Sequence, residues 1–274
     1  MENIKIGVAL SGGGLCGVAH IGFLKALEEN GIKIDMISGI SMGSIIGGLY
    51  ASGMTIQEME NSIGKINKSD LFELNIFKLL KESIFTSKKI EKTLKQYLKV
   101  ENIEDTKIKF YPQAVDILTG KLYTFENGSI VEALRASSCI PGLFPPVKKD
   151  NTYYVDGGIV ENIPFNILKE KGADVIIAVN CLNGYQTEGL PKNTLGMLMD
   201  SFYIMQEELW KLQKEKYKDN YDIYCFNGLD GTKPISADLK KVSNLIENGY
   251  IEGKKYIKEI KKIIKNKQKN LKNT

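Results

Sequence analysis

The first fifty residues alternate between two hydrophobic periods, and this alternation constrains the fold more than any other feature of the sequence. IKIGVAL (residues 4–10) is a short apolar run typical of a buried strand, and VAHIGFLKALEENG (18–31) has the three- and four-residue apolar spacing of a helix that stops at Gly31. IDMISGIS (34–41) and MGSIIGGLYASG (42–53) repeat the order of strand and helix. Alternating elements with short connections predict a three-layer α/β/α fold with a mostly parallel central sheet.

Later segments continue this pattern. The sequence predicts polar helices over 55–100, two strands joined at Thr119-Gly120, a helix over 130–138, a strand over 151–158, a helix over 163–172 with Pro164 in its first turn, strands over 173–180 and 221–227, and one or two helices from Ser236 onward. No repeat or long linker divides the chain. We therefore expect one domain over residues 1–274, with a motif-bearing core at about 5–180, a helical insertion at about 55–100 and a basic helical C-terminal extension at about 236–274.

Composition narrows the possible partners. The net charge of +4 is small, and the excess lies near the C-terminus without interleaved aromatic residues, so we expect no nucleic-acid partner. The chain has one histidine and four widely separated cysteines, with no CxxC pair, so we expect no metal site, no cofactor and buried, reduced thiols; these cysteines are Cys16, Cys139, Cys181 and Cys225. No segment resembles a secretory leader or a membrane span, so we expect a cytoplasmic protein.

The glycine-rich loop SGGGLCG follows the first predicted strand and permits two interpretations. Gly12, Gly14 and Gly17 satisfy the GxGxxG spacing of dinucleotide-binding loops. A tight glycine turn can also present backbone N–H groups to an oxyanion. The rest of the sequence must distinguish these two roles.

GISMG (residues 39–43) lies between the second predicted strand and the second predicted helix. This GxSxG pattern in a strand–turn–helix context indicates a nucleophile elbow. Gly39 and Gly43 leave room for the sharp turn, so Ser41 can project from the sheet edge at a helix N-terminus, where developing negative charge is favoured. Ser41 is therefore the candidate nucleophile.

The base that would activate Ser41 must be a carboxylate. His20 precedes Ser41, the reverse of the order in α/β-hydrolase triads, so we interpret it as a packing or helix-surface residue. VDGG ends a predicted strand with Asp156, and the turn at Gly157 and Gly158 can expose its carboxylate. An aspartate with an ordinary pKa of about 3.9 is a weak base, so Asp156 would need partial desolvation and a hydrogen bond with the serine.

A dinucleotide site fits these residues poorly. Such folds place an acidic residue at the end of the second strand to bind the ribose, whereas here GISMG occupies that end and Asp35 lies at its start. No lysine followed by serine or threonine completes a P-loop. Because the first two strand–helix loops leave the same carboxyl edge of the sheet, we expect the glycine loop and Ser41 to be neighbours.

Together these residues resemble the patatin-like phospholipases, a family of serine acyl hydrolases with a Ser–Asp dyad. SGGGLCG, GISMG and DGG occur in the family's order and spacing, and SSCIPGLFPPV (137–147) and ENIP (161–164) also resemble it, so the resemblance covers about residues 5–180. It implies that Ser41 is the nucleophile and Asp156 the base. It also implies an oxyanion hole built from the glycine loop; the candidates are Gly12, Gly13, Gly14 and Gly17, with Gly13 and Gly14 the best placed. Cys16 departs from the family, which usually has a basic residue at that position.

The implied activity is that of a lipolytic ester hydrolase of phospholipase A or lysophospholipase type, acting on a lipid or another ester. LFELNIFKLLKESIF (71–85) and the lysine-rich C-terminus are candidates for peripheral contact with a membrane surface. Two alternatives remain open at this point: a non-catalytic lipid-binding or regulatory protein on the same fold, and a dinucleotide-binding protein. The sequence does not determine the oligomeric state.

Overall fold

A single mixed sheet organises the part of the chain that the computed structural model describes, which is residues 4–64, 87–182, 194–226 and 240–272. Its strands are β1 (Ile6–Leu10), β2 (Met36–Gly39), β3 (Lys109–Asp116), β4 (Lys121–Thr124), β5 (Val147–Lys149), β6 (Thr152–Asp156), β7 (Val175–Asn180) and β8 (Ile223–Phe226). The α-helices within these ranges are α1 (Ala19–Glu29), α2 (Met42–Ala51), α3 (Ile56–Gly64), α4 (Ser87–Tyr97), α5 (Ile130–Ser137), α6 (Asn166–Glu170), α7 (Thr194–Lys216) and α8 (Lys240–Lys272).

The strand order is β5-β6-β3-β2-β1-β7-β8, with β4 paired to β3 outside this path. The pairs β3–β2, β2–β1, β1–β7 and β7–β8 are parallel, whereas β4, β5 and β6 extend the sheet with antiparallel pairs. The prediction of a mostly parallel central sheet with helices on both sides is therefore confirmed. The carboxyl ends of β1 and β2, which lead into the two glycine motifs, lie next to each other because Leu10 is in register with Gly39.

Successive residues of the central strands point to opposite faces, and each face has its own core. In β1, Val8 and Leu10 belong to the large cluster that includes α1, α2, α5 and α8, whereas Ala9 belongs to a smaller cluster on the other face. Phe165 and Trp210 fill that second cluster from the α6 and α7 side. Near-continuous apolar runs such as VIIAVN are expected for strands buried on both faces.

The basic C-terminal segment forms one long helix, and its first half is part of the core. α8 crosses α1 at close range, because a Cβ on Gly22 would meet the backbone of Ile246 and a Cβ on Gly249 would meet the carbonyl of Ala19. Two glycines at the crossing allow the helix backbones to approach closely. Ile257 and Ile260 of α8 are also buried.

Most predicted elements are present, although one helix begins later than predicted and the short strand β5 was not predicted. The helix predicted over 163–172 begins only at Asn166, so Pro164 precedes it; the Pro164 carbonyl accepts a hydrogen bond from the Ser38 hydroxyl at 2.6 Å. Within 55–100, α3 and α4 are helical as predicted, while the candidate lid at 71–85 lies outside the described residues. The long helix α7 was not predicted.

Candidate active site

Ser41 occupies a sharp turn between β2 and α2. Its backbone has φ 54° and ψ −123°, a strained conformation for a residue other than glycine, and its side chain is largely buried. The Ser41 amide donates to the carbonyl and the hydroxyl of Ser137, at 3.1 and 3.0 Å, so α5 helps to hold the turn. Because the Ser41 hydroxyl does not cap α2, it is available for other interactions. This is the geometry of a nucleophile elbow.

The two glycines that flank Ser41 lie where the backbone is most crowded. A Cβ on Gly43 would collide with the carbonyls of Leu10 and Ser11, and one on Gly39 would lie 2.6 Å from the Gly43 carbonyl. The elbow can therefore pack directly against the end of β1 only if both positions lack a side chain. These contacts also bring the elbow to the start of the glycine-rich loop.

Asp156 ends β6, and its carboxyl is 1% exposed. Its amide donates to the Cys139 carbonyl at 2.9 Å, and its Oδ1 accepts the Gly158 amide at 2.8 Å, which fixes the carboxyl over the following turn. Gly157 lets this turn approach the elbow, since a Cβ there would lie 3.0 Å from Cγ1 of Ile40. Within the described residues, Oδ2 of Asp156 is buried without a hydrogen-bond partner.

The environment of Asp156 tunes it toward general-base chemistry. Burial raises the pKa of the carboxyl to about 6, and the neighbouring Ser41 side chain and the Gly158 amide oppose that rise. The Ser41 side chain is thus close enough to favour the ionised carboxylate, although Oδ2 does not yet form a hydrogen bond of normal geometry. Contacts of this kind tighten when substrate binds. The sequence predicts that Asp156 needs partial desolvation to act as a base, and desolvation is the largest influence on its pKa.

The glycine-rich loop lies beside Ser41, as expected. A Cβ on Gly12 would lie 3.3 Å from the Ser41 Cβ, while the Gly12 amide donates to the Asn162 carbonyl at 3.1 Å. Because the Gly12 amide is already paired in this structure, Gly13 and Gly14 are the better candidates among the predicted oxyanion donors. Gly13 (φ 151°) and Gly14 (φ 51°) have positive φ, and among the described residues their amides have no acceptor.

Gly17 and Cys16 pack the loop against its surroundings. A Cβ on Gly17 would lie 2.6 Å from the Met42 Cβ, so this glycine serves the contact between the loop and α2. Cys16 is fully buried in a small cluster together with Cys181, Leu182, Met199, Phe202 and Tyr203. The patatin-like phospholipases, which this sequence resembles, usually have a basic residue at this position. Here it is a cysteine whose side chain packs among apolar residues of α7. Burial raises the pKa of the Cys16 thiol well above its ordinary value.

Two other residues considered in the sequence lie outside the dyad. His20 is fully buried, and its Nε2 lies 2.9 Å from the Ser11 carbonyl; burial lowers the His20 pKa to about 4. It is a packing residue and not a surface residue. Asp35 lies at the amino edge of the sheet, where its carboxylate accepts the Ile6 amide at 2.9 Å, far from the end where a ribose ligand would be needed.

Three residues at the site were not assigned by sequence reasoning. Ser137 anchors the elbow. Asn162 is buried, and its Oδ1 has no partner among the residues that the structure describes; it lies 2.8 Å from the point that a Cβ on Gly12 would occupy. ENIP was the available signal for Asn162. Gln206 of α7 contacts Gly158, and no motif marks it. The described residues contain no cluster of metal-ligating side chains.

A family model for patatin-like phospholipase matches residues 8–169, which include the glycine-rich loop, the elbow and the Asp156 turn. The chain belongs to the patatin-like phospholipase family. Lysophospholipase NTE1 of Scheffersomyces stipitis is 31% identical over 209 residues, which are 75% of this chain and 13% of that protein. Patatin-like phospholipase domain-containing protein 6 of Homo sapiens is 30% identical over 211 residues, 75% of this chain and 15% of that protein. The chain thus spans a small part of these patatin-like relatives.

The solved structures agree at the level of fold. The crystal structure of VipD from Legionella pneumophila superposes with a TM-score of 0.56 at 15% identity, covering 94% of this chain and 67% of that chain. Because it covers 94% of this chain, this likeness in fold extends beyond residue 169. None of the described helices is long and apolar enough to cross a membrane.

Proposed function

We propose that this patatin-like chain is a serine acyl hydrolase that cleaves carboxylic esters of lipids with a dyad of Ser41 and Asp156. The observation that carries the proposal is the buried Asp156 carboxyl, whose pKa is raised to about 6 beside a serine held in a strained elbow. A carboxylate with this pKa is ionised at neutral pH and is still basic enough to take a proton. Membership in the family supports the same assignment.

In the acylation step, Asp156 accepts the proton of the Ser41 hydroxyl while Oγ attacks the ester carbonyl. The N-terminus of α2 favours the negative charge that develops there. The amides of Gly13 and Gly14 are the available donors for the tetrahedral oxyanion. Collapse of this intermediate expels the alcohol, which takes the proton from Asp156, and leaves an acyl group on Ser41.

The substrate class follows from the relatives. Those at about 30% identity are named as lysophospholipase and patatin-like phospholipase domain proteins, so phospholipids and lysophospholipids are the esters to test first. The site's own chemistry requires a carboxylic ester and does not distinguish between these two classes. Acyl-chain length and position on the glycerol are left to experiment.

α7 is the part of the structure that we assign to contact with a lipid surface. Its inner face packs on Cys16 and Gly158 beside the dyad, while its outer face exposes large apolar side chains, namely Met197, Leu198, Ile204, Met205 and Leu212. An apolar helix face next to a lipolytic site is suited to shallow insertion among lipids. Lys211 and Lys214 follow on the same helix, where they can interact with headgroups.

The lysine-rich end of α8 lies near the amino ends of the central strands, opposite the carboxyl ends that lead to Ser41. There Lys261 and Lys265 line a pocket of about 490 Å³ together with Ile4 and Lys33, near the amino ends of β1 and β2. Ser41 follows the carboxyl end of β2. A membrane held by these lysines would therefore face away from the dyad, which favours α7 as the docking element.

A labelling experiment tests the chemistry. The wild type, Ser41→Ala and Asp156→Asn proteins are treated with a fluorophosphonate probe, then incubated separately with phosphatidylcholine and lysophosphatidylcholine, and the released fatty acids are measured by mass spectrometry. Ser44→Ala is the matched control, because Ser44 is a buried serine in the first turn of α2, just after Ser41, and its hydroxyl has no partner among the described residues. We expect label and fatty acid from the wild type and Ser44→Ala only. Release by Ser41→Ala at the wild-type rate would refute the assignment.

Vesicle flotation tests the surface. We expect Ile204→Ser/Met205→Ser to weaken binding to phosphatidylcholine vesicles while hydrolysis of a water-soluble ester is retained. The matched control is Ile251→Ser/Leu271→Ser, which removes two exposed apolar side chains from α8. Equal binding by both double variants would exclude α7 as the docking face.

A further inference from the structure

Several buried hydrogen-bond acceptors around the dyad have no partner. Among the described residues, the buried acceptors without a partner include Oδ2 of Asp156, Oδ1 of Asn162 and Oε1 of Gln206. Asn162 lies beside Gly12, next to Ser41, and Gln206 lies beside Gly158 in the Asp156 turn. A buried acceptor without a partner destabilises the folded state, so these groups need an explanation. Unpartnered acceptors beside the elbow and the Asp156 turn are suited to a ligand that brings hydrogen-bond donors.

Gln206 is one of two members of this set, with Asn162, that the dyad mechanism does not use. It is 3% exposed on the inner face of α7, and its Nε2 lies against Gly158 at the point that a Cβ on that glycine would occupy. Oδ1 of Asp156 is 3.1 Å from the same point. The carboxamide of Gln206 and the carboxyl of Asp156 therefore share one face of the Gly158 turn. Gln206 also lies beyond residue 169, where the family model ends.

We propose that Gln206 is a positioning residue for deacylation: with Asp156 it orients the water that hydrolyses the acyl group from Ser41. This inference rests on the proposed function. Water is a double donor, so one O–H can face Oδ2 of Asp156 while the other faces Oε1 of Gln206. An alcohol leaving group offers only one O–H and does not need the second acceptor.

The water oxygen bonds to the acyl carbon while Asp156 takes one proton from the water. The glycine-loop amides stabilise the negative charge on the former carbonyl oxygen. The intermediate collapses, the bond between the acyl carbon and Oγ breaks, and the proton on Asp156 returns to Ser41. A fatty acid leaves, and Gln206 is chemically unchanged. The loss of Gln206 should therefore slow deacylation and spare acylation.

The experiment separates these two steps with p-nitrophenyl butyrate. Stopped-flow absorbance gives the acylation burst and the steady-state rate, and intact-protein mass spectrometry during turnover gives the fraction carrying a butyryl group on Ser41. The variants are Gln206→Met, similar in shape without the amide, and Gln206→Glu, which keeps an acceptor. Gln213→Met is the matched control, since Gln213 lies on the same helix and donates to the Val160 carbonyl at 2.7 Å in a structural contact.

For Gln206→Met we expect a burst rate within about twofold of wild type, a steady-state rate lower by about tenfold or more, and accumulation of butyryl-Ser41. Gln206→Glu, which keeps an acceptor oxygen, should recover part of the steady-state rate. Gln213→Met should lower the unfolding temperature without accumulating the adduct.

Four results would overturn the proposal. Equal loss of burst and steady-state rate in Gln206→Met would show a role in acylation or in folding. Adduct accumulation in Gln213→Met would show that any disturbance of α7 has this effect. Absence of any hydrolysis by the wild type would overturn the proposed function itself, and the role of Gln206 with it, whereas an active wild type with an unaltered Gln206→Met variant would overturn only the role of Gln206.

Discussion

The Gly12 amide donates to the Asn162 carbonyl at 3.1 Å, and this one bond joins the glycine-rich loop to the segment that carries Asp156. Asn162 follows Asp156 by six residues, and Gly12 precedes the candidate oxyanion donors Gly13 and Gly14 directly. The positions of the base and of the donors are therefore coupled through the backbone. A second backbone bond, from the Ser11 amide to the Val179 carbonyl at 3.0 Å, holds the start of the same loop to β7.

Activity should fall on the acid side with the titration of Asp156. Burial raises the pKa of this carboxyl to about 6, and only the ionised form can accept the serine proton, so kcat/KM should decrease about tenfold for each pH unit below 6. The measurement is kcat/KM for a water-soluble ester between pH 4.5 and 8.5, with circular dichroism at each pH to confirm that the protein stays folded. A flat profile down to pH 4.5 would contradict the role of Asp156.

Replacement of Gly13 by alanine should cost both stability and activity. The backbone at Gly13 has φ 151°, and a Cβ there would collide with Sγ of Cys181, so the loop must move away from Ser41. Gly120→Ala is the matched control, since Gly120 also has a positive φ of 67° but an added Cβ would have nothing within 4 Å. Thermal unfolding should show that Gly120→Ala lowers the free energy of unfolding by about 1 kcal/mol and that Gly13→Ala lowers it by more.

Only Gly13→Ala should also lose ester hydrolysis, by about a hundredfold or more, because the loss of one oxyanion donor typically costs about 3 kcal/mol. Hydrolysis at the wild-type rate in a folded Gly13→Ala protein would remove Gly13 from the candidate oxyanion hole.

The local geometry at the site was predictable where a motif has a steric meaning. GxSxG after a strand implies an elbow, and parallel topology implies that two consecutive strand–helix loops meet, so the contact between Gly12 and Ser41 could be expected from residue order alone. The need for a desolvated Asp156 also followed from its ordinary pKa. These inferences depend on short-range backbone geometry, which the residue types in the motifs restrict strongly.

The contribution of α7 could not be predicted in this way. Its apolar residues face both the core and solvent, so the helical pattern is blurred, and Gln206 reaches the Asp156 turn across almost fifty residues of chain. The pairing of the Gly12 amide likewise depends on where Asn162 lies in space. Such contacts between distant segments are set by tertiary packing, which carries no local signal.

Glu161 should make the protein less stable as the pH rises. Burial raises the pKa of Glu161 from 4.5 to about 8, opposed by the hydrogen bond from Asn166, so the folded state holds a proton that the unfolded state releases. The free energy of unfolding should therefore decrease between pH 4.5 and 8 and level off above. Glu161→Gln, which mimics the protonated acid, should remove this slope and stabilise the protein by on the order of 3 kcal/mol at pH 8.

Urea unfolding at pH 5 and pH 8 provides the measurement for this effect. Glu101→Gln, at an exposed position that does not act on the pKa of Glu161, is the control and should leave the slope unchanged. If Glu161→Gln and the wild type lose stability equally between the two pH values, Glu161 does not hold the proton.

Cys16 lies at the loop position that is usually basic in the patatin-like phospholipases, and its surroundings in this chain suit an uncharged side chain. Its side chain is fully buried against Cys181 and the apolar inner face of α7, so an arginine there would place a guanidinium among Met199, Phe202 and Tyr203. Cys16→Arg should lose at least about 3 kcal/mol of stability, because a buried charge without a partner is costly, whereas Cys16→Ala should lose about 1 kcal/mol. Cys225→Ala, at another fully buried cysteine, should lose a similar amount and keep full ester hydrolysis. Thermal unfolding and ester hydrolysis measure both effects, and a Cys16→Arg protein with wild-type stability would show that the loop opens to solvent at this position.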